Sequence, residues 1–80
     1  MVVDFWIVKN PECIQVFGLH VRKLREKANL SQQDLADNSD LAKTTIQKIE
    51  LSRINPSLDV LASLAKGLEM KLSDLLDFDY

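Results

Sequence analysis

From Leu30 to Glu50 the chain reads LSQQDLADNSDLAKTTIQKIE, and its polar residues form a pattern that a core alone does not require. If the segment from about Lys43 to Leu51 is helical, Ile46 and Ile49 turn inward while Lys43, Thr44, Gln47 and Lys48 face outward together. Two ammonium groups, a hydroxyl and an amide then share one face, a donor set suited to an acceptor-rich or anionic surface. Gln32 opens the preceding helix, where its amide and the positive end of the helix dipole both favour an anion. Catalytic chemistry has no comparable support. Ser, His and Asp all occur, but no spacing sets a nucleophile beside a base, and no Gly-rich loop is present to cradle phosphate. One His and one Cys do not make a zinc site, so no catalytic residue, metal or cofactor is expected.

The elements that position this face follow from capping residues and apolar periodicity. Asn10-Pro11-Glu12 starts a helix: Asn can cap, Pro is tolerated first, and an early carboxylate complements the dipole. Ile14, Phe17, Val21, Leu24 and Ala28 then recur at three- and four-residue intervals, predicting one amphipathic helix to about Ala28 with Gly18 admitting a close neighbour. Ser31 caps a short second helix whose buried face is Leu35 and Ala36 and which ends near Asp37 or Asn38. After a turn comes the Lys43 to Leu51 helix; Asn55-Pro56-Ser57 then breaks the chain and starts a fourth, with Leu58, Leu61, Leu64, Ala65 and Leu68 as its stripe. Ser73 or Leu72 opens a last short helix carrying Leu75 and Leu76. The fold class is therefore all-α with five helices, preceded by an extended segment over residues 1–9, where VVDFWIV has strand character but no partner strand within one chain.

Eighty residues suffice for one small domain, taken as residues 10–80. A single cysteine excludes an internal disulfide and suits a reducing compartment; the N-terminal apolar run lacks a basic leader and is far shorter than a membrane span, so a cytoplasmic protein is expected. The net charge of −2 conceals an uneven distribution. From His20 to Asn55 the balance is +2, against −1 before and −3 after it. The centre is basic and the ends are acidic.

Two short helices joined by a tight turn, the first with a small Ala36 at the contact, form the unit that lays its second helix in the DNA major groove. In GLHVRKLREKANLSQ, LSQQDLA, TTIQKIE, NPSLDVLASLAKGL and LSDLL, in that order from Gly18 to Leu76, the chain resembles the Cro/C1-type (XRE) helix-turn-helix proteins. The resemblance implies a lambda-repressor-like, five-helix domain that binds double-stranded operator DNA, usually as a homodimer. It places base-edge contacts at Lys43, Thr44 and Lys48, and phosphate contacts at Gln32, Thr45, Arg53 and Asn55. It also pairs Arg25 with Glu50 to tie the first helix to the reading helix, a pair worth little if exposed. The side chains suit these roles, since lysine can donate to guanine O6 and N7, and threonine can donate, accept or touch the thymine methyl. Two positions depart from the family pattern: Asp40 stands where Gly is favoured in the turn, and Ala42 where Ser or Thr would cap the reading helix.

The sequence thus predicts a sequence-specific transcriptional regulator, with a phage-type repressor, a restriction-modification controller and an antitoxin with a toxin partner all open. The rival is a protein-interaction module that keeps the fold without binding DNA, favoured by the acidic ends and the missing cap. A homodimer surface is expected at Phe5, Trp6 and Ile7 on one side and Leu58, Leu61, Leu75 and Phe78 on the other, away from the basic centre.

Overall fold

The structure, a computed structural model, describes residues 9–80. Among them are five helices and no strand: α1 (Pro11–Lys27), α2 (Gln32–Ser39), α3 (Lys43–Glu50), α4 (Leu58–Gly67) and α5 (Leu72–Leu75). The strand-like run before Lys9 lies outside the described residues. No helix among the described residues is long and apolar enough to cross a membrane.

The core takes side chains from every helix: Phe17 and Val21, Leu35 and Ala36, Ile46 and Ile49, Leu64 and Ala65, and Leu75. α2 sits at its centre against α3 and α4, while α1 lies across α3 and α5 closes onto α4. Close approach depends on two glycines. A Cβ on Gly18 would meet the Ile49 carbonyl at 2.6 Å, so α1 can cross the end of α3 only without a side chain there. A Cβ on Gly67 would collide with the Ser39 hydroxyl, which is buried at the α2–α4 contact with no hydrogen-bond partner among the described residues.

Three expectations are corrected. Asn10 makes no cap; its Oδ1 instead accepts from the Tyr80 hydroxyl at 3.3 Å, leaving Pro11 and Glu12 to favour the start of α1. Ala28 is exposed, because α1 ends at Lys27 before the stripe reaches it. Leu75 is fully buried in the chain's own core, so it cannot belong to a surface between copies. The short α5 that carries it is held by His20, whose Nε2–H donates to the Leu75 carbonyl at 2.8 Å while its ring lies 5.3 Å from that of Phe78.

Helix ends are built to one plan. Asn29, Asp40, Ser52 and Glu69 all have positive φ, between 55° and 61°. In each case the next residue's N–H returns to a carbonyl five residues earlier: Leu30 to Arg25 (3.1 Å), Leu41 to Ala36 (2.9 Å), Arg53 to Lys48 (2.8 Å) and Met70 to Ala65 (2.9 Å). This left-handed stop satisfies the free carbonyls of a helix and normally uses glycine. Here no glycine occupies it, and asparagine and aspartate bear the strain more easily than serine or glutamate.

Glu69 is therefore strained, and its side chain makes no hydrogen bond or ion pair among the described residues that would offset the cost. Glu69→Gly is expected to stabilise the protein by about 0.5–1 kcal/mol. Equilibrium urea unfolding measures this, and an unchanged or lower midpoint would contradict the assignment.

Candidate nucleic-acid interface

α2 and α3 owe their relation to a short turn and an apolar contact. Ser31 Oγ accepts the Asp34 backbone N–H at 3.0 Å, and Asp34 Oδ2 accepts the Ser31 N–H at 2.9 Å, closing a reciprocal cap on α2. The backbone bond from Ser31, with the hydroxyl contact second, holds the Asp34 carboxyl below its ordinary range; the cap is complete above that range and is lost as pH falls through the depressed value. α2 runs to Ser39, one or two residues beyond the predicted end, because Asp40 adopts the left-handed conformation (φ 55°, ψ 42°) that makes the turn. Ala42 then enters α3 with extended backbone and no side-chain cap.

α3 is divided along its length. Ile46 and Ile49 are buried against α2 and α1, whereas Lys43, Thr44 and Lys48 are exposed, and Thr45 and Gln47 are half-buried at the margin. The ion pairs among the described residues are Arg22–Glu26 and Arg25–Glu50. Lys43, Lys48 and Arg53 thus keep uncompensated charge near one another in sequence. Arg53 and Asn55, both exposed, lie in the loop that follows α3.

Beneath this face lies a polar cluster that the sequence foreshadows only in part. Arg25 from α1 meets Glu50 at the end of α3 through two bonds, Nε to Oε2 at 2.7 Å and Nη2 to Oε1 at 3.1 Å, while its Nη1 donates to the Leu30 carbonyl at 2.9 Å. The side chains retain only 11% and 4% of their exposure. The Glu50 hydrogen bond raises the Arg25 guanidinium above its already high ordinary value against the opposing desolvation. The expectation of a pair worth little on the surface therefore does not apply. Gln32 adds a third donor, its Nε2 reaching Glu50 Oε1 at 3.1 Å. Nothing in the spacing of residues 32 and 50 signals that bond.

Outside the interface the described surface is acidic toward the C-terminus, where Asp74, Asp77 and Asp79 are exposed. Leu58 and Leu76 are also exposed, at 68% and 42%, beside the half-buried Leu61 and Phe78. A largely apolar groove of about 130 Å³ is lined by Cys13, Ile14, Phe17, Asn55, Pro56, Leu61, Leu76 and Phe78. Phe5, Trp6 and Ile7 lie outside the described residues.

Comparison with known proteins matches residues 21–75, which include the whole α2–α3 unit, to the helix-turn-helix family. The chain belongs to this family. The control protein C.BamHI of Bacillus amyloliquefaciens is 44% identical over 64 residues, 79% of either chain. The control protein C.MunI of a Mycoplasma species is 42% identical over 60 residues, 74% of this chain and 81% of the relative. Among solved structures, the restriction-modification controller protein C.AhdI from Aeromonas hydrophila superposes with a TM-score of 0.76 at 32% identity, covering 79% of this chain and 96% of that one. The resemblance to Cro/C1-type proteins is thereby shown, and as a member of that family the chain is a DNA-binding regulator of transcription.

Removing one partner of a desolvated ion pair leaves the other charge buried alone. Glu50→Ala should therefore destabilise the domain by about 3–5 kcal/mol. Urea unfolding of wild type and variant gives the difference, and a loss below about 1 kcal/mol, the worth of an exposed pair, would show that the burial is not energetically felt.

Proposed function

We propose that this regulator binds operator DNA as a homodimer and controls transcription by occupying that site, with no catalytic step. The observation that carries this reading is the division of α3: its inner face is fixed by Ile46, Ile49 and Glu50, while Lys43, Thr44 and Lys48 stand outward without ion-pair partners among the described residues. In a major groove these three would meet base edges, with Thr45 and the exposed Arg53 and Asn55 on the flanking phosphates. Gln32, at the start of α2, can offer a phosphate the second N–H of its amide, and the helix dipole favours an anion there.

The helix ends support the role of Arg53. After α1, α2 and α4 the residue following the left-handed position is apolar and packs on the core: Leu30, Leu41 and Met70. After α3 it is an exposed arginine. That position gives up a packing contact and presents a cation beside the reading helix, as a backbone clamp requires.

Of the three genetic settings open from sequence, the likeness to control proteins favours a restriction-modification controller over a phage repressor or an antitoxin with its toxin. Such a protein works in the cytoplasm, with residues 10–80 as its DNA-binding domain and residues 1–9 as an attached segment. One reading helix spans few base pairs, so a second copy is needed to reach a second half-site about one DNA turn, ~34 Å, away. The surface offered to that copy is the apolar groove lined by Leu61, Leu76 and Phe78, together with the exposed Leu58, and the acidic Asp74, Asp77 and Asp79 of the C-terminal end would be repelled by DNA.

Binding-site selection from random duplexes tests the reading helix. Lys48→Ala is expected to alter the recovered motif, each good base contact contributing about 1–3 kcal/mol of discrimination. Recovery of the wild-type motif at full strength would remove Lys48 from the base-reading set. A wild type that shifts DNA with no sequence preference, or no DNA at all, would favour an interaction module.

The dimer is tested separately at side chains the core does not use. Leu58→Asp and Leu76→Asp are expected to give folded monomers by sedimentation, with operator affinity reduced at least about tenfold. Dimeric variants with intact affinity would place the interface elsewhere.

A further inference from the structure

We propose that Gln32 is a positioning residue for the reading helix, acting through Glu50 to set where α3 lies in the groove, beyond any phosphate it touches. The inference rests on the operator-binding reading given above. Both Glu50 oxygens accept from Arg25, so the Gln32 amide faces an acceptor and presents its nitrogen, not its oxygen, to Oε1. That oxygen already accepts from Arg25 Nη2, which makes Gln32 the third donor to one carboxylate.

The bond spans the motif from end to end. Gln32 is the first residue of α2 and Glu50 the last of α3, whereas the turn at Asp40 to Ala42 joins the opposite ends of the two helices. α2 and α3 are therefore tied twice, by the chain at the turn and by one amide at the far end. The second tie matters here because Ala42 supplies no side-chain cap to the N-terminus of α3. The N-terminal end of the reading helix is held by the chain at the turn and by the Ala42 carbonyl alone, with no side-chain cap, so its direction depends on the Glu50 end.

A small rotation about the turn becomes a displacement at the bases. An eight-residue helix is about 12 Å long, so a swing of roughly 5° about the turn, where the chain still joins α2 to α3, moves the Lys48 end of the helix by close to 1 Å. Hydrogen bonds to base edges tolerate a heavy-atom range of about 0.5 Å, and such a shift breaks them. Contacts from Arg53 to phosphate, made by a long exposed side chain, can follow it. Loss of the Gln32–Glu50 bond should therefore cost sequence preference far more than general affinity for DNA.

The test compares a selected operator with a random-sequence duplex of equal length, both titrated at one salt concentration, with urea unfolding to confirm that each variant is folded. Gln32→Met removes the amide at nearly constant size, and Gln32→Asn keeps an amide at the helix start but falls one methylene short of Glu50. Both are expected to lower operator affinity at least about fivefold more than random-duplex affinity, which falls only by the lost phosphate contact. Arg53→Ala serves as the control, lowering both affinities by a similar factor. If both Gln32 variants weakened the two duplexes equally, Gln32 would be a phosphate contact only; if neither changed operator binding, its bond to Glu50 would have no functional weight. A wild type that prefers no sequence would instead overturn the operator-binding reading, and the positioning role with it.

Discussion

The architecture depends on one buried carboxylate. Glu50 ends the reading helix almost wholly removed from water, and a charge there persists only because Arg25 and Gln32 supply donors in good geometry. Through it three elements that share little sequence proximity are bound at one point: the end of α1, the start of α2 and the end of α3. Arg25 also holds the Leu30 carbonyl, so the connection between α1 and α2 closes on the same cluster. A hydrophobic contact such as Ile46 with Leu35 pulls helices together without fixing their direction. Directional bonds to one carboxylate do fix it, and a helix that must match a row of base edges needs direction as well as adhesion.

Around that point the fold is economical in length. Four of the five helices are ten residues or shorter, too short to persist alone in water, so each must be both stopped cleanly and packed. The repeated left-handed stop does both after the short α2 and α4, and after the longer α1, since it satisfies carbonyls and sends Leu30, Leu41 or Met70 back into the core. After α3 the same backbone turn presents Arg53 to solvent. Identical local geometry thus serves packing at three sites and charge display at the fourth, and the side chain alone makes the difference.

Charge is sorted in the same economical way. The overall balance is negative, yet the stretch from His20 to Asn55 carries +2, its excess contributed by α1, and the C-terminal end is acidic. For a small domain facing a polyanion, this arrangement favours one orientation of approach and opposes others. Of the exposed apolar residues, Leu76 lies within this acidic end, whereas Leu51 caps the reading helix and Leu19 stands on α1.

Much of this was legible in the sequence. The periodicities of Phe17, Val21, Leu35, Ile46, Ile49 and Leu64 located four helices and their inner faces, and they did so because burial is repeated every three or four residues along a helix. Ser31 as a cap, the turn at Asp40 and the close approach at Gly18 were readable because each requires a particular residue type at a particular place. The outward set of Lys43, Thr44 and Lys48 followed from the same periodicity. What the tertiary structure decided were matters of distance between residues far apart in the chain. Only it could show that Leu75 is spent on the chain's own core and not on a partner, that His20 secures the carbonyl of that residue across 55 positions, and that the Arg25–Glu50 pair is buried and so costly to break. Only it could join Gln32 to Glu50. Periodicity records which side of a helix faces inward; it holds no record of which polar groups from separate helices meet there, since that is set by how whole helices cross.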